Sequence, residues 1–428
     1  MTARTAPSLD VTAPILDPRS NLQWRMRGAA LYLAYASAAS ILVSIAISQI
    51  LLGMALITLL VSGERLRFPP IRLPLALFFV GTVVAVLLSP DPHRGMPQIR
   101  KFYVFFIVLV IFSTFRTVKQ IRTLVLVWSG IALLSALLSL VQFFQRYQEA
   151  QVEHANNYGF FLDDRIRGFS SHWMTFGGEE MIVFLMLLSF LLFSGKAKWK
   201  VYGVVCVGIL WISLVLGLTR SIFLLGVPMG ALYLIWHWKR WLVLIAPALV
   251  VLAIFASPVQ VRERVISVIH PHEELDSNTH RSITRRTGWE MVKAHPWFGL
   301  GPEQIAPQFL RYVPPDIPKP LPKGYYGHLH NVYLQYAAER GVPTMLLMIW
   351  LIGKVLFDFL RAIRDRVLSK DAQFVLHGAV ATILALLAEG YFEYNLGDSE
   401  VLTLFLTVVT CGYVVLRAPD VASQPITS

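Results

Sequence analysis

Two histidines lie two residues apart in the segment Gly-His-Leu-His-Asn, 327–331, directly ahead of a stretch with helical character. A neutral imidazole accepts a proton near pH 7, so such a ring can serve as a general base. A helix that begins after Asn331 would favour a neighbouring anion and lower the pKa of an adjacent histidine, which keeps that ring a proton acceptor. His330 is therefore the candidate base, and His328 is a structural residue or a weaker second contact. A single loop histidine is usually inert, so the assignment needs further support.

Arginines offer a second kind of chemistry, because a planar guanidinium binds phosphate oxygens in pairs. Arg220 follows an apolar run, and Arg285 and Arg286 stand side by side in a polar segment. The alternatives are ordinary: an arginine at a helix end commonly extends to the membrane interface, and a loop arginine can be a solvated charge. Either Arg285 or Arg286 could be the phosphate contact. For Arg167, a phosphate or glycan contact and an ordinary loop charge are almost equally good accounts.

A metal site is the third chemistry to weigh, because alternate histidines on an extended segment can both be ligands. A zinc or magnesium site would need further cysteine or carboxylate ligands, and none stands at a diagnostic spacing from His328 and His330. We therefore expect no metal and no other cofactor. The two cysteines, Cys206 and Cys411, lie inside apolar runs and indicate no disulfide framework.

The composition indicates the solvent in which these residues work. Of 428 residues, 55% are hydrophobic and 15% are charged, whereas a soluble domain carries about 25% charged residues. A net charge of +12 would suggest nucleic acid as the partner of a soluble protein. Here the basic residues fill short gaps between apolar runs, which is typical of cytoplasmic loops. The sequence thus predicts an all-α integral membrane protein with no nucleic-acid partner.

The apolar runs predict about 12 transmembrane helices. The first run, 29–62, has no charge in 34 residues, which is about 51 Å of helix against about 30 Å of hydrocarbon. We therefore divide it into two spans near Ser48 and Gln49. The other spans are predicted at 73–89, 102–115, 122–143, 179–194, 201–217, 221–236, 241–256, 343–360, 373–391 and 400–417.

The charges of the connections predict the orientation. With the N-terminus inside, the predicted cytoplasmic connections are basic, and the opposite connections include the acidic segment 392–400. Arg220 then faces the periplasm of a bacterial inner membrane against the local charge bias, which favours a functional role. The predicted organisation is a cytoplasmic tail at 1–28, a bundle of about nine spans at 29–256 with a periplasmic loop at 145–178, a large periplasmic catalytic loop at 257–342, the last three spans at 343–417 and a cytoplasmic tail at 418–428.

The large loop is the most informative segment, because its 86 residues are too many for a structureless connection. We expect a helix from Asn278, as the N-cap, to His295, which a proline follows. A stretch rich in glycine and proline occupies 297–323, and a second helical run occupies 332–340. The loop should fold back over the membrane surface as a lid or as the wall of a cleft.

Several motifs resemble the signature of the O-antigen ligase and polymerase superfamily. Arg-x-x-x-Trp and His-Pro-x-x-Gly-x-Gly lie in RRTGWEMVKAHPWFGLGP, 285–302, and His-Asn opens HNVYLQYAAERG, 330–341. The segments LTRS, 218–221, and RIRGFSSHWMTFG, 165–177, extend the resemblance, although the latter lacks the family's usual Pro-Asn ending.

The resemblance implies some twelve spans with one large periplasmic loop before the last three, and a GT-C-like glycosyltransferase architecture. It implies glycan transfer from undecaprenyl pyrophosphate to a sugar hydroxyl; in ligases the acceptor is the lipid A core, and membrane lipid is a further partner. Arg220 and Arg285 would hold the pyrophosphate, and His330 would act as the base. The expected substrate contacts are Arg286, Arg167, His328 and Asn331.

Two further sets of residues could contribute at this site. The aromatic side chains could stack on sugar faces or belong to an interfacial belt; they are Tyr325, Tyr326, Trp173 and Trp297. Glu389 and Glu393, near the end of the eleventh predicted span, could contact the acceptor or pair with an arginine.

Two other functions stay open. A transporter should bury ionisable groups near the middle of the membrane, whereas the predicted spans are nearly free of charge at their centres. An O-antigen polymerase performs the same transfer onto another lipid-linked glycan, and the same arginines and histidine would serve it. The compact loop that bears His-Asn favours the ligase.

Overall fold

The computed structural model describes residues 18–152, 157–195, 200–270, 278–322 and 324–417. Within these ranges the regular secondary structure is helical, which confirms the all-α prediction. The helices are α1 (Pro18–Ser40), α2 (Ile45–Val61), α3 (Arg72–Leu87), α4 (Pro92–Arg100), α5 (Phe106–Thr114), α6 (Val118–Val152), α7 (Asn157–Asp163), α8 (Trp173–Phe193), α9 (Lys200–Leu216), α10 (Val227–Trp238), α11 (Leu242–Ala256), α12 (Val259–Ile266), α13 (Asn278–Ala294), α14 (Ile305–Tyr312), α15 (Val332–Asp365), α16 (Lys370–Glu389) and α17 (Ser399–Arg417). A 3₁₀ turn, Lys101–Phe105, joins α4 to α5, and a π turn, Ser221–Gly226, precedes α10.

Six described stretches are long and apolar enough to cross a membrane: Pro92–Thr114, Val118–Val152, Trp173–Phe193, Ser221–Trp238, Lys370–Glu389 and Ser399–Arg417. Four shorter apolar helices, α2, α3, α9 and α11, lie where the sequence predicts further spans. The twelve-span count and the GT-C-like architecture stay predictions.

The first apolar run breaks earlier than the sequence predicts. The turn lies at 41–44, between α1 and α2, and Ser44 is the N-cap of α2. Ser48 is instead buried, and its hydroxyl donates to Ser37 O at 2.9 Å, which joins the two helices. The prediction was wrong here because a polar residue at a helix–helix contact resembles a break. α1 also begins within the predicted tail, so 18–28 are helical, while 1–17 and 418–428 lie outside the described residues.

The connections between the membrane helices gather at two ends of the bundle. At one end, Arg116 and Arg122 pair with Glu64 and Asp371, respectively, at 2.6 and 2.7 Å. We call this end the basic face. These residues lie in the connections that the sequence identifies as cytoplasmic, so the ion pairs join the predicted basic loops to one another.

The other end, which we call the loop face, carries the large loop. There Gln304 Nε2 donates to Asp91 O at 2.9 Å, and Val332 N donates to Gly390 O at 2.7 Å. The loop therefore contacts the connections that follow α3 and α16. This grouping agrees with the alternation of charge along the chain; the side of a membrane that each face meets stays a prediction.

The large loop docks on α15 through its backbone. Leu300 N donates to Ala338 O, and Val342 N donates to Pro296 O, both at 2.8 Å. Gly341 has φ +79° and interrupts α15, and a Cβ at this position would lie 2.0 Å from a carbonyl oxygen of the docked segment. Only glycine allows this approach. The His-Pro-x-x-Gly-x-Gly motif is thus a docking element.

Inside the loop, α13 begins at the predicted Asn278 and ends one residue before the predicted end. Its apolar face packs with α14 and the start of α15 into a separate core that includes Met291, Phe309, Leu329 and Ala338. Burial of these side chains provides the loop with its own hydrophobic stabilisation. The loop therefore holds its residues in fixed positions above the bundle.

Candidate active site

The carboxylate of Glu393 is fully buried in the connection between α16 and α17 and contacts two side chains of the loop. One oxygen pairs with the guanidinium of Arg281 on α13, and the other lies 3.3 Å from Nδ1 of His330. Burial by itself raises the pKa of Glu393, but Arg281 and His330 together bring that pKa below its ordinary value. Glu393 is therefore ionised at neutral pH and accepts a hydrogen bond from Nδ1 of His330.

This contact sets the tautomer of His330. With the proton on Nδ1, the lone pair of the neutral ring lies on Nε2. That nitrogen is buried and has no hydrogen-bond partner among the described residues. The ring is thus arranged as a general base with its accepting atom available. The backbone of His330 has φ +48°, a left-handed conformation that is costly for a residue with a side chain.

Asn331 fixes the position of the base. Its Oδ1 accepts from Leu334 N at 2.8 Å as the N-cap of α15, and its Nδ2 donates to Tyr391 O at 2.9 Å. The amide therefore joins the helix that follows His330 to the connection that carries Glu393. One amide N–H remains for the substrate contact that the sequence predicts.

Two more histidines surround His330. The ring centres of His328 and His280 lie 4.1 and 5.2 Å from that of His330. Burial, with a smaller contribution from His330, lowers the pKa of His328 to about 3 and that of His280 to about 4. Both rings are thus neutral at pH 7. Nδ1 of His328 accepts from His330 N at 3.4 Å, a contact that supports the backbone.

Arg281 was missed by sequence reasoning. It lies four residues before Arg285 on α13, and such spacing places two side chains on one helix face. That spacing was the available signal, but only the structure shows that Arg281 faces the buried Glu393.

The two predicted loop arginines differ in their contacts. Arg285 is exposed, and its Nη1 lies 3.4 Å from the Tyr391 hydroxyl. Arg286 forms two bonds to the carboxylate of Asp316, at 2.7 and 2.8 Å. Arg286 is therefore held by a carboxylate, whereas Arg285 has a neutral neighbour.

Arg220 is buried where the π turn meets the loop. Its Nη1 donates to the carbonyl and hydroxyl oxygens of Ser267 at 3.0 Å, and its Nη2 donates to Asn278 Oδ1 at 2.6 Å. It thereby joins the bundle to the end of α12 and the start of α13. In the described structure Arg220 is part of the base of the loop.

Arg165, which the sequence analysis did not select, is directed into the site. Its guanidinium lies 4.0 Å from the ring centre of Trp173. Burial is the main cause that lowers the pKa of Arg165 to about 9, and the positive charge of Arg264 is the next largest. Its Nε is buried with no partner in the part of the chain that the structure describes. The side chain of Arg167, two residues further along, is exposed.

Two cavities lie beside the histidines. The first, which we call the apolar groove, has a volume of about 510 Å³ between α13 and α15. Its lining includes Arg285, Arg286, Trp289, Tyr333, Leu334, Met345 and Tyr391. The second, which we call the polar cleft, has a volume of about 460 Å³, and its lining includes His172, Glu303, Tyr325, His328, Glu339, Tyr394, Asp398 and Glu400.

The remaining predicted residues have separate positions. Tyr326 packs against His280, and Trp297 is exposed. Glu389 accepts from Asn395 Nδ2 at 2.8 Å. Among the described residues no group of three or more His, Cys, Asp or Glu side chains is arranged to hold a metal ion. A metal-independent reaction stays a prediction.

Comparison with known proteins relates one segment of the chain to a known family. No curated protein matches the chain. Residues 205–349, about a third of the chain, match the family model described as O-Antigen ligase. The matched segment runs from α9 into α15 and includes Arg220, α13, Arg285 and His330. The match agrees with the resemblance to this family that the motifs of the loop carry.

Proposed function

We propose that this protein is an O-antigen ligase that transfers a glycan from undecaprenyl pyrophosphate to the core oligosaccharide of lipid A. The observation that supports it best is the buried pair of Glu393 and His330, which leaves Nε2 of His330 free to accept a proton. The reaction takes place at the loop face, which faces the periplasm of a bacterial inner membrane in this proposal.

The reaction needs a base beside the acceptor. The hydroxyl of the acceptor sugar donates its proton to Nε2 of His330 while its oxygen attacks the anomeric carbon of the donor. A new C–O bond forms as the bond to the pyrophosphate oxygen breaks, with inversion at that carbon. Glu393 stabilises the imidazolium that results, and this proton later leaves to water.

The leaving group needs cations and its lipid needs an apolar surface. Arg285 stands at the rim of the apolar groove, where its guanidinium can bind pyrophosphate oxygens while the groove holds the first isoprenoid units. Arg286 is the weaker candidate, because its Nη2 already donates to both carboxylate oxygens of Asp316. Arg220 and Arg165 supply positive potential on the bundle side. Arg167, His328 and Asn331 are proposed contacts to the glycans.

An O-antigen polymerase is the second candidate, because the same base and cations would serve it. Glycan analysis of a deletion strain separates the two. Loss of a ligase leaves core-only lipopolysaccharide and accumulates polymerised lipid-linked glycan, whereas loss of a polymerase leaves single units attached to the core. Complementation with His330→Ala should fail in either case, and complementation with His93→Ala, an exposed histidine of α4, should succeed. Normal lipopolysaccharide in the deletion strain would rule out both functions.

A further inference from the structure

The two cavities beside the histidines differ in charge. Arg285 and Arg286 line the apolar groove together with one carboxylate, Glu290, which pairs with Lys293 at 2.8 Å. The polar cleft is lined by four carboxylates, and no lysine or arginine is among its described lining residues. The carboxylates are Glu303, Glu339, Asp398 and Glu400. One of them, Glu339, is paired with Arg340 at 3.0 Å. A pyrophosphate would meet guanidinium groups at the groove and carboxyl groups at the cleft, which favours the groove.

The other walls of the cleft carry groups that suit a sugar. Gln98, Gln335 and Asn395 supply amides, and Tyr325 and Tyr394 supply aromatic rings. Amides and carboxylates bind hydroxyl groups, and aromatic faces pack on the C–H surface of a ring. The volume of about 460 Å³ is within the usual range of ligand pockets.

The cleft adjoins a path to the outside of the bundle. A neighbouring cavity of about 270 Å³ shares Ser171, Thr175 and Glu400 with it and reaches the turn between α1 and α2. Glu179 lines this cavity and is 5% exposed. One of its oxygens accepts from Ser170 at 2.9 Å, and the other is buried without a partner in the described chain. An unpaired carboxylate oxygen at this place suits a ligand that brings hydroxyl donors.

The cleft ends at the histidine next to the base. His328 forms part of its wall, and the ring centres of His328 and His330 are 4.1 Å apart. His328 is neutral there, because burial lowers its pKa to about 3. A sugar in the cleft therefore meets hydrogen-bonding groups and carboxylates close to His330, but no cation among the lining residues.

We propose that the polar cleft binds the accepting end of the acceptor as a neutral sugar without phosphate, which enters past the turn between α1 and α2. The donor occupies the apolar groove on the other side of the histidine segment. This inference rests on the transfer proposed above and holds whether the acceptor is the lipid A core or a lipid-linked glycan.

Two purified full-length variants, Glu303→Gln and Glu400→Gln, test the cleft, because glutamine keeps the size of the side chain and replaces one carboxyl oxygen with an amide nitrogen. Glu149→Gln is the matched control, since Glu149 is an exposed carboxylate of α6 that lines neither cavity. Two acceptor saccharides serve as probes, and they differ only in a phosphate on the sugar next to the accepting one. Calorimetry measures their binding, and transfer kinetics give KM and kcat for acceptor and donor.

We expect wild-type protein to bind the neutral saccharide at least about ten times more tightly than its phosphorylated form. Each cleft variant should weaken binding of the neutral saccharide by about 5- to 20-fold, because a carboxyl oxygen that accepts hydrogen bonds from sugar hydroxyls is lost. Binding of the phosphorylated form should change less. The acceptor KM should rise with donor KM and kcat nearly unchanged, and the control should behave as wild type.

Equal binding of the two saccharides, no binding of either, or an unchanged affinity in both folded cleft variants would overturn the inference. A change confined to the donor KM would do the same. Binding that depends on the cleft in a wild-type protein that transfers no glycan would instead refute the proposed transfer while leaving the saccharide site in place.

Discussion

Nδ1 of His330 and Oε2 of Glu393 lie 3.3 Å apart although 63 residues separate them in the chain. One residue belongs to the large loop and the other to the connection between α16 and α17. The site is therefore complete only when the loop is docked on the bundle. A base of this kind does not form within the loop alone.

Replacement of His330 by alanine tests the base. The hydroxyl of the acceptor loses its proton acceptor, so turnover should fall by about 10²- to 10⁴-fold while donor affinity stays near wild type. Single-turnover rates and donor binding on purified protein measure the two effects, and His93→Ala serves as the control. A folded His330→Ala protein that transfers glycan at a near wild-type rate would contradict the assignment.

The ion pair of Glu393 and Arg281 should make stability depend on acid. The pKa of Glu393 in the folded protein lies below the ordinary value of 4.5, so its contribution is complete above pH 4.5 and is lost as pH falls through that lower pKa. Glu393→Gln should therefore lower the unfolding temperature at pH 7, and the difference from wild type should shrink in acid. In the Arg281→Ala variant, the effect of burial should outweigh that of His330 and raise the pKa of Glu393. The variant should therefore become more stable on mild acidification. The prediction is refuted if the unfolding temperatures of both variants change with pH in parallel with that of the wild-type protein.

Arginine variants test how the donor is held. Arg220→Ala and Arg285→Ala should raise the donor KM and lower kcat, because attraction to the pyrophosphate increases as the bond breaks. Lysine should rescue only part of the loss, since it lacks the paired donors of a guanidinium. Arg285 is exposed, so Arg285→Ala should unfold at the wild-type temperature, whereas Arg220→Ala should also loosen the loop. Full activity with lysine at position 285 would argue against bidentate phosphate binding.

Chelation tests the expected absence of a metal. Arginines can neutralise the leaving group, so purified protein should keep its activity in excess EDTA. Turnover before and after dialysis is the measurement. A loss that Mg²⁺ or Mn²⁺ restores would show that a metal contributes to the reaction.

Labelling in cells tests the orientation. Pro315 is exposed in the loop, and the native cysteines Cys206 and Cys411 are buried, so a Pro315→Cys protein offers one accessible thiol in the described chain. We expect a membrane-impermeant maleimide to label it from the periplasm of cells with a permeable outer membrane. Labelling only after access to the cytoplasm would reverse the proposed topology.

Local patterns in the sequence were enough to predict two helices of the loop, α13 and the start of α15, but not α12 or α14. The charge and spacing of α13 and the proline after His295 gave its bounds to within one residue, and His-Asn marked the start of α15. The break predicted at Ser48 was wrong, because the sequence does not show whether a serine in an apolar run ends a helix or donates a hydrogen bond to a neighbouring helix.

Contacts between distant segments could not be predicted in this way. The sequence does not distinguish Arg165 from Arg167, whereas in the structure Arg165 packs against Trp173 and is half-buried and Arg167 is exposed. Glu393 was noted as an arginine partner, but its pairing with both Arg281 and His330 depends on how the loop docks. Burial and pairing across 63 or more residues are properties of the tertiary fold.

The interruption of α15 at Gly341 has a consequence for protein engineering. The first part of that helix follows His330 and is bonded to segment 296–301, whereas the part after the interruption belongs to the bundle. An exchange of parts between related enzymes should therefore transfer 278–341 as one cassette. A chimera joined inside this cassette would pair a docking segment from one parent with a helix from the other.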